Sequence, residues 1–194
     1  THANIPLLLR WIDSEQLLRE WAANSLVYPL TAEQIGHLLT LTRAEPRLYL
    51  YTAVSLPTQE PVGHIEISVN SLNRAGRLCR VLIGPAHLRG KGLGTQMVQA
   101  MLRIGFGELK LHRIDLAVFD FNARAIACYK RAGFTQEGLL RDAYRMGDSY
   151  WSGVIMSMLE EEWRRKGRGS REEGKETETS SPASSSPPSQ GLGT

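Results

Sequence analysis

Hydrophobic and polar positions recur with two different periods along residues 5–160. Apolar residues at alternate positions or in short runs predict strands, whereas apolar residues three or four positions apart predict helices. On this basis we expect strands at 5–10, 47–54, 61–69, 77–85, 111–119, 134–138 and 150–159. Helices are expected at 14–23, from 31, at 93–104 and from 122. The pattern predicts a domain of mixed α and β structure without internal repeats.

Polar side chains mark the starts of two predicted helices. Asp13 or Ser14 precedes the first helix, where its side-chain oxygen would cap the first turn. Thr31 precedes the second helix, and Gln34 follows three residues later at the spacing of a capping box. The helix from 93 carries its apolar residues on one stripe and is followed by a strand. A strand, helix and strand in this order favour parallel pairing of the two strands.

Composition separates a domain from a tail. The chain has 194 residues, 42% of them hydrophobic, which is enough for one packed core. We place the domain at residues 1–163 and a tail at 164–194, which is charged and then rich in Ser, Pro and Gly. No aromatic residue follows Trp163. Such a segment buries too little apolar area to offset the entropy of ordering, so the tail is predicted to be disordered.

Charge and cysteine content narrow the function classes. The net charge of +3 allows anion binding, but no basic stripe carries interleaved aromatics, so nucleic acid is not the expected partner. Cys79 and Cys128 lie far apart and outside any metal-ligand spacing, so neither a disulfide framework nor a metal site is expected. The sequence shows no long apolar run and no signal peptide, which favours a cytoplasmic protein without a membrane partner.

The glycine-rich turn between His87 and Thr95 predicts an anion-binding loop. It joins a predicted strand to a predicted helix, so backbone N–H groups and the positive end of the helix dipole meet there. Gly92 and Gly94 let the backbone approach phosphate oxygens, and Arg89 and Lys91 add positive charge. We therefore expect the turn to hold a pyrophosphate.

The spacing of the glycines excludes two common phosphate-binding loops. No register supplies the nucleoside-triphosphate pattern Gly-x4-Gly-Lys-Ser/Thr. The dinucleotide pattern Gly-x-Gly-x-x-Gly/Ala fails because Thr95 or Met97 fills its last position, although Asp115 follows about twenty residues on. The pattern that fits is Arg-x-x-Gly-x-Gly, at Arg89, Gly92 and Gly94.

A second motif lies at residues 122–134 and has the form Asn-x-x-Ala-x-x-x-Tyr-x-x-x-Gly-Phe. Together the two motifs resemble the GNAT superfamily of acetyl-CoA-dependent N-acetyltransferases. The stretches 139–144 and 147–151 are most similar to its group of ribosomal-protein N-terminal and spermidine acetyltransferases. The resemblance implies an α+β fold, a three-layer α/β/α arrangement around a mixed, mostly antiparallel sheet of about seven strands.

The resemblance also implies an activity and a set of cofactor contacts. The acetyl group of acetyl-CoA would pass to a primary amine by direct attack in a ternary complex, with no metal and no covalent enzyme intermediate. Backbone N–H groups of a splayed strand at 80–83 would meet the carbonyl and the pantetheine arm. The residues expected to contact acetyl-CoA are Leu82, Ile83, Arg89, Gly90, Lys91, Gly92, Leu93, Gly94, Thr95, Asn122, Tyr129 and Lys130.

Two side chains are candidates for proton transfer. The resemblance makes Tyr129 the acid that protonates the leaving sulfur; alternatively its ring packs while the hydroxyl faces water. Glu66 shares one strand face with His64 and Ser68, and it is either the base that takes the amine proton or part of a solvated face. Asp115 is expected to be a structural hydrogen-bond acceptor.

The sequence leaves several alternatives open. The amine acceptor is a protein N-terminus, a polyamine or another small amine, and a homodimer is one candidate assembly for an oligomeric state that the sequence does not fix. Two rival functions are a non-catalytic acyl-CoA-binding sensor and a dinucleotide-dependent oxidoreductase, the latter disfavoured by the glycine spacing.

Overall fold

The computed structural model describes residues 5–40 and 47–167. Its α-helices are α1 (Ile5–Trp11), α2 (Glu15–Ala22), α3 (Ala32–Thr40), α4 (Leu93–Leu102) and α5 (Ala123–Ala132). Its strands are β1 (Arg47–Val54), β2 (Pro61–Asn70), β3 (Ala75–Ile83), β4 (Arg113–Phe119), β5 (Thr135–Met146) and β6 (Ser149–Leu159). A 3₁₀ turn at Ala86–Leu88 precedes α4, a π-helical segment at Arg103–Glu108 follows it, and residues 160–167 are helical.

The strands form one mixed sheet in the order β1-β2-β3-β4-β6-β5. Neighbouring strands pair antiparallel except β3 and β4, which are parallel and are joined through α4 as the sequence pattern predicts. The α+β class and the mixed, mostly antiparallel sheet are therefore confirmed. The described sheet has six strands rather than about seven.

The missing strand is the one predicted at residues 5–10, and that prediction is wrong. The segment forms α1 because Leu8, Trp11 and Ile12 are buried against residues of α2 and α3. Five of its six residues are apolar, and such a run fits a buried strand and a buried helix equally well. Pro6 stands in the first turn of α1, where its missing N–H group breaks no helical hydrogen bond.

Two apolar clusters cover the sheet. The larger one packs α4 and α5 against β2, β3, β4 and β6, with Ile67, Val98 and Met156 fully buried in it. The smaller one packs α1, α2 and α3 together with Leu82 of β3. Leu82 pairs with His64 across the β2–β3 ladder, so the N-terminal helices lie over the sheet face that carries His64. The sheet thus has α4 and α5 on one face and α1, α2 and α3 on the other, which is the expected three-layer α/β/α arrangement.

The predicted caps hold in part. The hydroxyl of Ser14 accepts a hydrogen bond from the Leu17 N–H at 3.3 Å, which identifies Ser14 rather than Asp13 as the cap of α2. The hydroxyl of Thr31 accepts one from the Gln34 N–H at 3.2 Å. The Gln34 side chain bonds backbone atoms of Val27 and Pro29 instead of returning to Thr31, so half of the capping box forms.

The predicted tail is described only at its start. Residues 164–167 of the tail are helical, and the rest of the tail lies outside the described residues. Among the described helices, none combines the length and the apolar character required to cross a membrane.

Candidate active site

The parallel strands β3 and β4 separate and leave a cleft between them. Their pairing runs from Ala75 opposite Arg113 to Leu78 opposite Leu116, and no further pair follows in the described sheet. The cleft has a volume of about 250 Å³. Its walls come from β3, β4, α2, α5 and β5, through residues that include Glu20, Trp21, Arg77, Cys79, Arg80, Phe119, Asn122, Ala125, Tyr129 and Tyr144. This is the splayed strand that the resemblance implies.

A bulge in β3 shapes the floor of the cleft. Glu66 pairs with Cys79 and His64 pairs with Leu82, so β3 uses one more residue than β2 over this interval. Arg80 lies inside the bulge with a φ of +45°, a left-handed conformation that is strained for a residue with a side chain. The bulge directs the Arg80 guanidinium to Glu66, whose Oε2 accepts from Nε at 2.7 Å and from Nη2 at 2.5 Å.

Glu66 is buried inside this network instead of facing the cleft. Its side chain is 1% exposed, and its Oε1 lies 2.8 Å from Nε2 of His64. Burial alone raises the pKa of Glu66, but the hydrogen bonds from His64 and Arg80 outweigh it and hold the pKa below its ordinary value. The expectation of a solvated strand face is wrong. A buried carboxylate that two donors keep ionised is also poorly suited to take a proton from an amine.

Tyr129 lies on α5 with its side chain at the cleft. The residue is 9% exposed, and its ring meets Phe134 edge-on at 5.9 Å between centroids. Burial, followed by the neighbouring Cys128, raises the pKa of Tyr129, so the hydroxyl keeps its proton at neutral pH. The side chain therefore packs against the core and also lines the cleft.

The rest of the second motif fixes the ends of α5. Asn122 caps the helix, since its Oδ1 accepts from the Ala125 N–H at 3.1 Å, and it also lines the cleft. Gly133 ends the helix with a φ of +109°, a conformation that glycine adopts without a Cβ clash. Phe134 is buried beside Tyr129, and Lys130 is exposed. The spacing between Asn122 and Gly133 in this motif therefore equals the length of α5.

The glycine-rich loop leads into α4, whose N-terminus has no side-chain cap. Gly90 and Gly92 have φ values of +78° and +82°, and Gly92 is the N-cap of α4. A glycine has no side chain with which to cap the first turn, so the first N–H groups of α4 are left for an external acceptor. Lys91 is exposed beside them. This arrangement fits a phosphate group.

Arg89 faces the strand in this structure. Its Nε donates to the Ile83 carbonyl at 2.9 Å, and its Nη2 donates to the Gly84 carbonyl at 3.0 Å. The side chain thus ties the loop to the end of β3. On the other side of the loop, Thr95 Oγ1 lies 3.4 Å from Sγ of Cys128, which holds α4 against α5.

Glu20 and Arg77 line the cleft and were not predicted from the sequence. Glu20 on α2 is the only carboxylate among the described residues that line the cleft. Trp21 beside it has a buried indole Nε1 without a partner in the described part of the chain, and its ring contacts His64. Arg77 donates to Asp115 at 2.6 Å, which confirms the structural role expected for Asp115. A carboxylate on a short amphipathic helix gives no sequence signal of the cleft that it faces.

The comparison with protein families decides the identity. The profile of the Acetyltransferase (GNAT) family matches residues 11–134. The chain belongs to this family. Membership sets aside the dinucleotide-dependent oxidoreductase, whereas the acyl-CoA-binding sensor has the same fold and is distinguished by turnover.

Relatives of this GNAT protein include enzymes with named substrates. It is 26% identical to an aminoglycoside N(6')-acetyltransferase type 1 of Klebsiella pneumoniae over 148 residues, which cover 71% of this chain and 72% of that protein. It is 28% identical to the spermidine N(1)-acetyltransferase of Escherichia coli over 105 residues, 54% of this chain and 55% of that enzyme. An uncharacterized N-acetyltransferase of Bacillus subtilis, YokL, is 33% identical over 75 residues, 39% of this chain and 42% of that protein. The match thus spans about half or less of the Bacillus and E. coli relatives.

Solved structures support the fold. The crystal structure of spermidine N-acetyltransferase from Vibrio cholerae in complex with CoA and spermine superposes with a TM-score of 0.72. The sequence identity is 19%, and the superposition covers 84% of this chain and 94% of that one. The GNAT fold is therefore shared over nearly the whole of that enzyme. In the described part of this chain, no group of three or more His, Cys, Asp or Glu side chains is arranged to hold a metal ion.

Proposed function

We propose that this GNAT protein transfers the acetyl group of acetyl-CoA to a primary amine of a small molecule by direct attack in a ternary complex. The observation that supports this most is the cleft opened where β3 and β4 separate beyond Leu78, with Tyr129 in its wall. An acyl group and an amine must meet in one place, and this cleft lies on the strand that leads into the glycine-rich loop.

The donor would be held along β3, the loop and the start of α5. The open N-terminus of α4 and the exposed Lys91 fit the pyrophosphate. Arg89 would support the loop through its bonds to the β3 carbonyls. The residues proposed to contact acetyl-CoA remain Leu82, Ile83, Arg89, Gly90, Lys91, Gly92, Leu93, Gly94, Thr95, Asn122, Tyr129 and Lys130.

The chemistry requires one proton to leave and another to arrive. A free alkylammonium has a pKa near 10.4, so deprotonation at neutral pH costs about 4–5 kcal/mol unless the site assists. The neutral amine nitrogen attacks the acyl carbon, the carbon–sulfur bond breaks, and the sulfur takes a proton from the Tyr129 hydroxyl. The ammonium loses one proton to water before the attack, the nitrogen loses a second proton after it, and this second proton returns through water to the Tyr129 oxygen. In this proposal Glu66 acts as a positioning residue that fixes Arg80 and the bulge, in place of the role of base.

Two kinds of relatives bear on the acceptor. The aminoglycoside and the spermidine enzymes are both named for small molecules with several amino groups. The cleft volume of about 250 Å³ suits a slender amine. We therefore propose a small, multiply charged amine as the acceptor rather than a protein N-terminus.

The decisive experiment measures thiol release from acetyl-CoA with a panel of amines. The wild-type protein should release CoA in the presence of small amines, and Tyr129→Phe should lower kcat by about 100-fold, the lower end of the range for a lost general acid. Stabilisation of the folded protein by acetyl-CoA should persist in this variant.

Tyr150→Phe provides the matched control, because Tyr150 is exposed on β6 and does not line the cleft. Its kcat should equal that of the wild type. A Tyr129→Phe variant with unchanged kcat would remove Tyr129 from the mechanism, and a wild-type protein that acetylates no amine would refute the proposed function.

A further inference from the structure

The charges around the cleft differ in whether they are compensated. Three charged residues line it: Glu20, Arg77 and Arg80. Arg77 is paired with Asp115 at 2.6 Å, and Arg80 is paired with the buried Glu66. The charge of each arginine is therefore neutralised by its carboxylate partner, and neither arginine adds a net positive charge to the cleft.

Glu20 differs from the arginines because no oppositely charged partner neutralises it within the described residues. Its Oε1 accepts a hydrogen bond from the neutral amide of Gln16 at 2.9 Å, which orients the carboxylate without removing its charge. Glu15, on the same helix, is paired with Arg19 at 2.6 Å. The cleft thus carries one uncompensated negative charge, and α2 supplies it.

Aromatic rings line the same cleft. Phe119, Tyr144 and Trp21 are all part of its walls. The Phe119 ring meets the Tyr144 ring edge-on at 5.3 Å between centroids. Aromatic faces attract ammonium groups and not carboxylates, so these rings and Glu20 favour the same type of ligand.

We propose that Glu20, together with the rings of Phe119 and Tyr144, binds a second ammonium group of the acceptor, one that is not acetylated. This inference rests on the proposed function and adds a specificity site to it. The acceptor is then a diamine or polyamine, whose reacting end is placed in the cleft by the charge at its other end.

The test compares three acceptors that share a four-carbon chain: butylamine, 1,4-diaminobutane and 4-aminobutanoate. They share a primary amine and end in a methyl, an ammonium and a carboxylate group. The wild-type protein should acetylate diaminobutane with a kcat/KM about 10-fold above that of butylamine, the lower bound for a hydrogen bond between charged groups. Aminobutanoate should be the poorest acceptor.

Glu20→Gln removes the charge and keeps the shape. It should raise the KM for diaminobutane about 10-fold and reduce the preference for diaminobutane over butylamine by the same factor. Glu20→Lys should make aminobutanoate the best of the three acceptors. Glu15→Gln is the matched control and should behave as the wild type, because Glu15 does not line this cleft.

The outcomes separate the two proposals. Equal kcat/KM values for butylamine and diaminobutane in the wild type, or an unchanged preference in Glu20→Gln, would overturn the specificity site and leave the proposed function intact. A preference for aminobutanoate would assign the cleft to Arg77 and Arg80 and also overturn it. If the wild type acetylates no amine, both proposals fail.

Discussion

Two regions of the molecule are built by different kinds of interaction. The region proposed to bind acetyl-CoA, the loop before α4 together with α5, depends on local features: the left-handed φ of Gly92 and the cap that Asn122 makes to its own helix. The region proposed to bind the amine, α2 and the bulge of β3, depends on contacts between residues distant in sequence. Arg80 bonds Glu66, fourteen residues away, and Trp21 contacts His64. Local features are preserved when the remainder of a sequence changes, whereas distant contacts change with the packing around them.

The largest effect is expected for a variant that disrupts the region proposed to bind acetyl-CoA. Gly92→Glu places a side chain where φ is +82°, a conformation that costs a non-glycine residue roughly 1–2 kcal/mol. The new carboxylate would also repel a phosphate at the α4 N-terminus. Loss of two hydrogen bonds to a charged group costs about 3–6 kcal/mol. We expect the thermal stabilisation by acetyl-CoA to vanish in a melting experiment.

Gly36→Glu is the control for this variant. A Cβ at Gly36 of α3 meets no atom within 4 Å, and that glycine does not have a positive φ. This protein should keep its stabilisation by acetyl-CoA. Normal acetyl-CoA binding by Gly92→Glu would show that the cofactor is held elsewhere.

The next largest effect is expected in the region proposed to bind the amine, at the ion pair in the bulge of β3. Glu66→Gln leaves the Arg80 guanidinium without its counter-charge in a buried site, and breaking such a pair typically costs about 3 kcal/mol or more. The free energy of unfolding in urea should fall by about this amount. The double variant with Arg80→Gln should lose less than the sum of the two single variants, because the two residues act as a pair.

An exposed ion pair provides the contrast. Arg113 holds both carboxylate oxygens of Glu137, which is 40% exposed. Glu137→Gln should cost below about 1 kcal/mol, since solvent screens such pairs. Equal losses for Glu66→Gln and Glu137→Gln would indicate that the buried network adds nothing to stability.

Acid should reduce the stability that Glu66 and Glu137 contribute to the fold. Hydrogen bonds from Arg113 and Ser157 lower the pKa of Glu137 from 4.5 to about 2, and the pKa of Glu66 is also lowered. A carboxyl group with a lower pKa in the folded state contributes stability above its unfolded pKa, and that contribution is lost as the pH falls. The free energy of unfolding should therefore decrease as the pH falls below 4.5 towards 2. The decrease should be smaller in Glu66→Gln; an identical pH dependence in that variant would contradict the assigned pKa direction.

The two regions also differ in how far the sequence predicts them. The start of α5 at Asn122 and its end at Gly133 follow from residues inside the motif, because capping and left-handed turns depend on adjacent atoms. The strand at Arg47–Val54 was predicted with the correct bounds. The parallel pairing of β3 with β4 was also predicted, since a helical connection constrains it.

In the amine-binding region, the bulge of β3 and the position of Glu20 were not predicted, for physical reasons. Arg80 takes a positive φ without being glycine, and it does so inside a bulge that also places its guanidinium on Glu66 across the β2–β3 ladder. The helix at Ile5–Trp11 is selected by burial against α2 and α3 rather than by its own apolar period. In the sequence, Glu20 cannot be distinguished from a carboxylate on a solvated helix face. Its position in the cleft depends on the packing of α2 beside β3 and β4.

One local feature does contribute to the amine-binding region, and its expected effect is smaller than that of Glu66→Gln. The Ser14 hydroxyl caps α2, the helix that carries Glu20 and Trp21. Ser14→Ala should lower the free energy of unfolding by about 1 kcal/mol, whereas Ser14→Asp keeps an oxygen acceptor and should lose little. Loss of the cap loosens the first turn of α2, so Ser14→Ala should also raise the KM for the amine and leave the KM for acetyl-CoA unchanged. If both KM values rise together, α2 affects the whole cleft and the two regions are not independent.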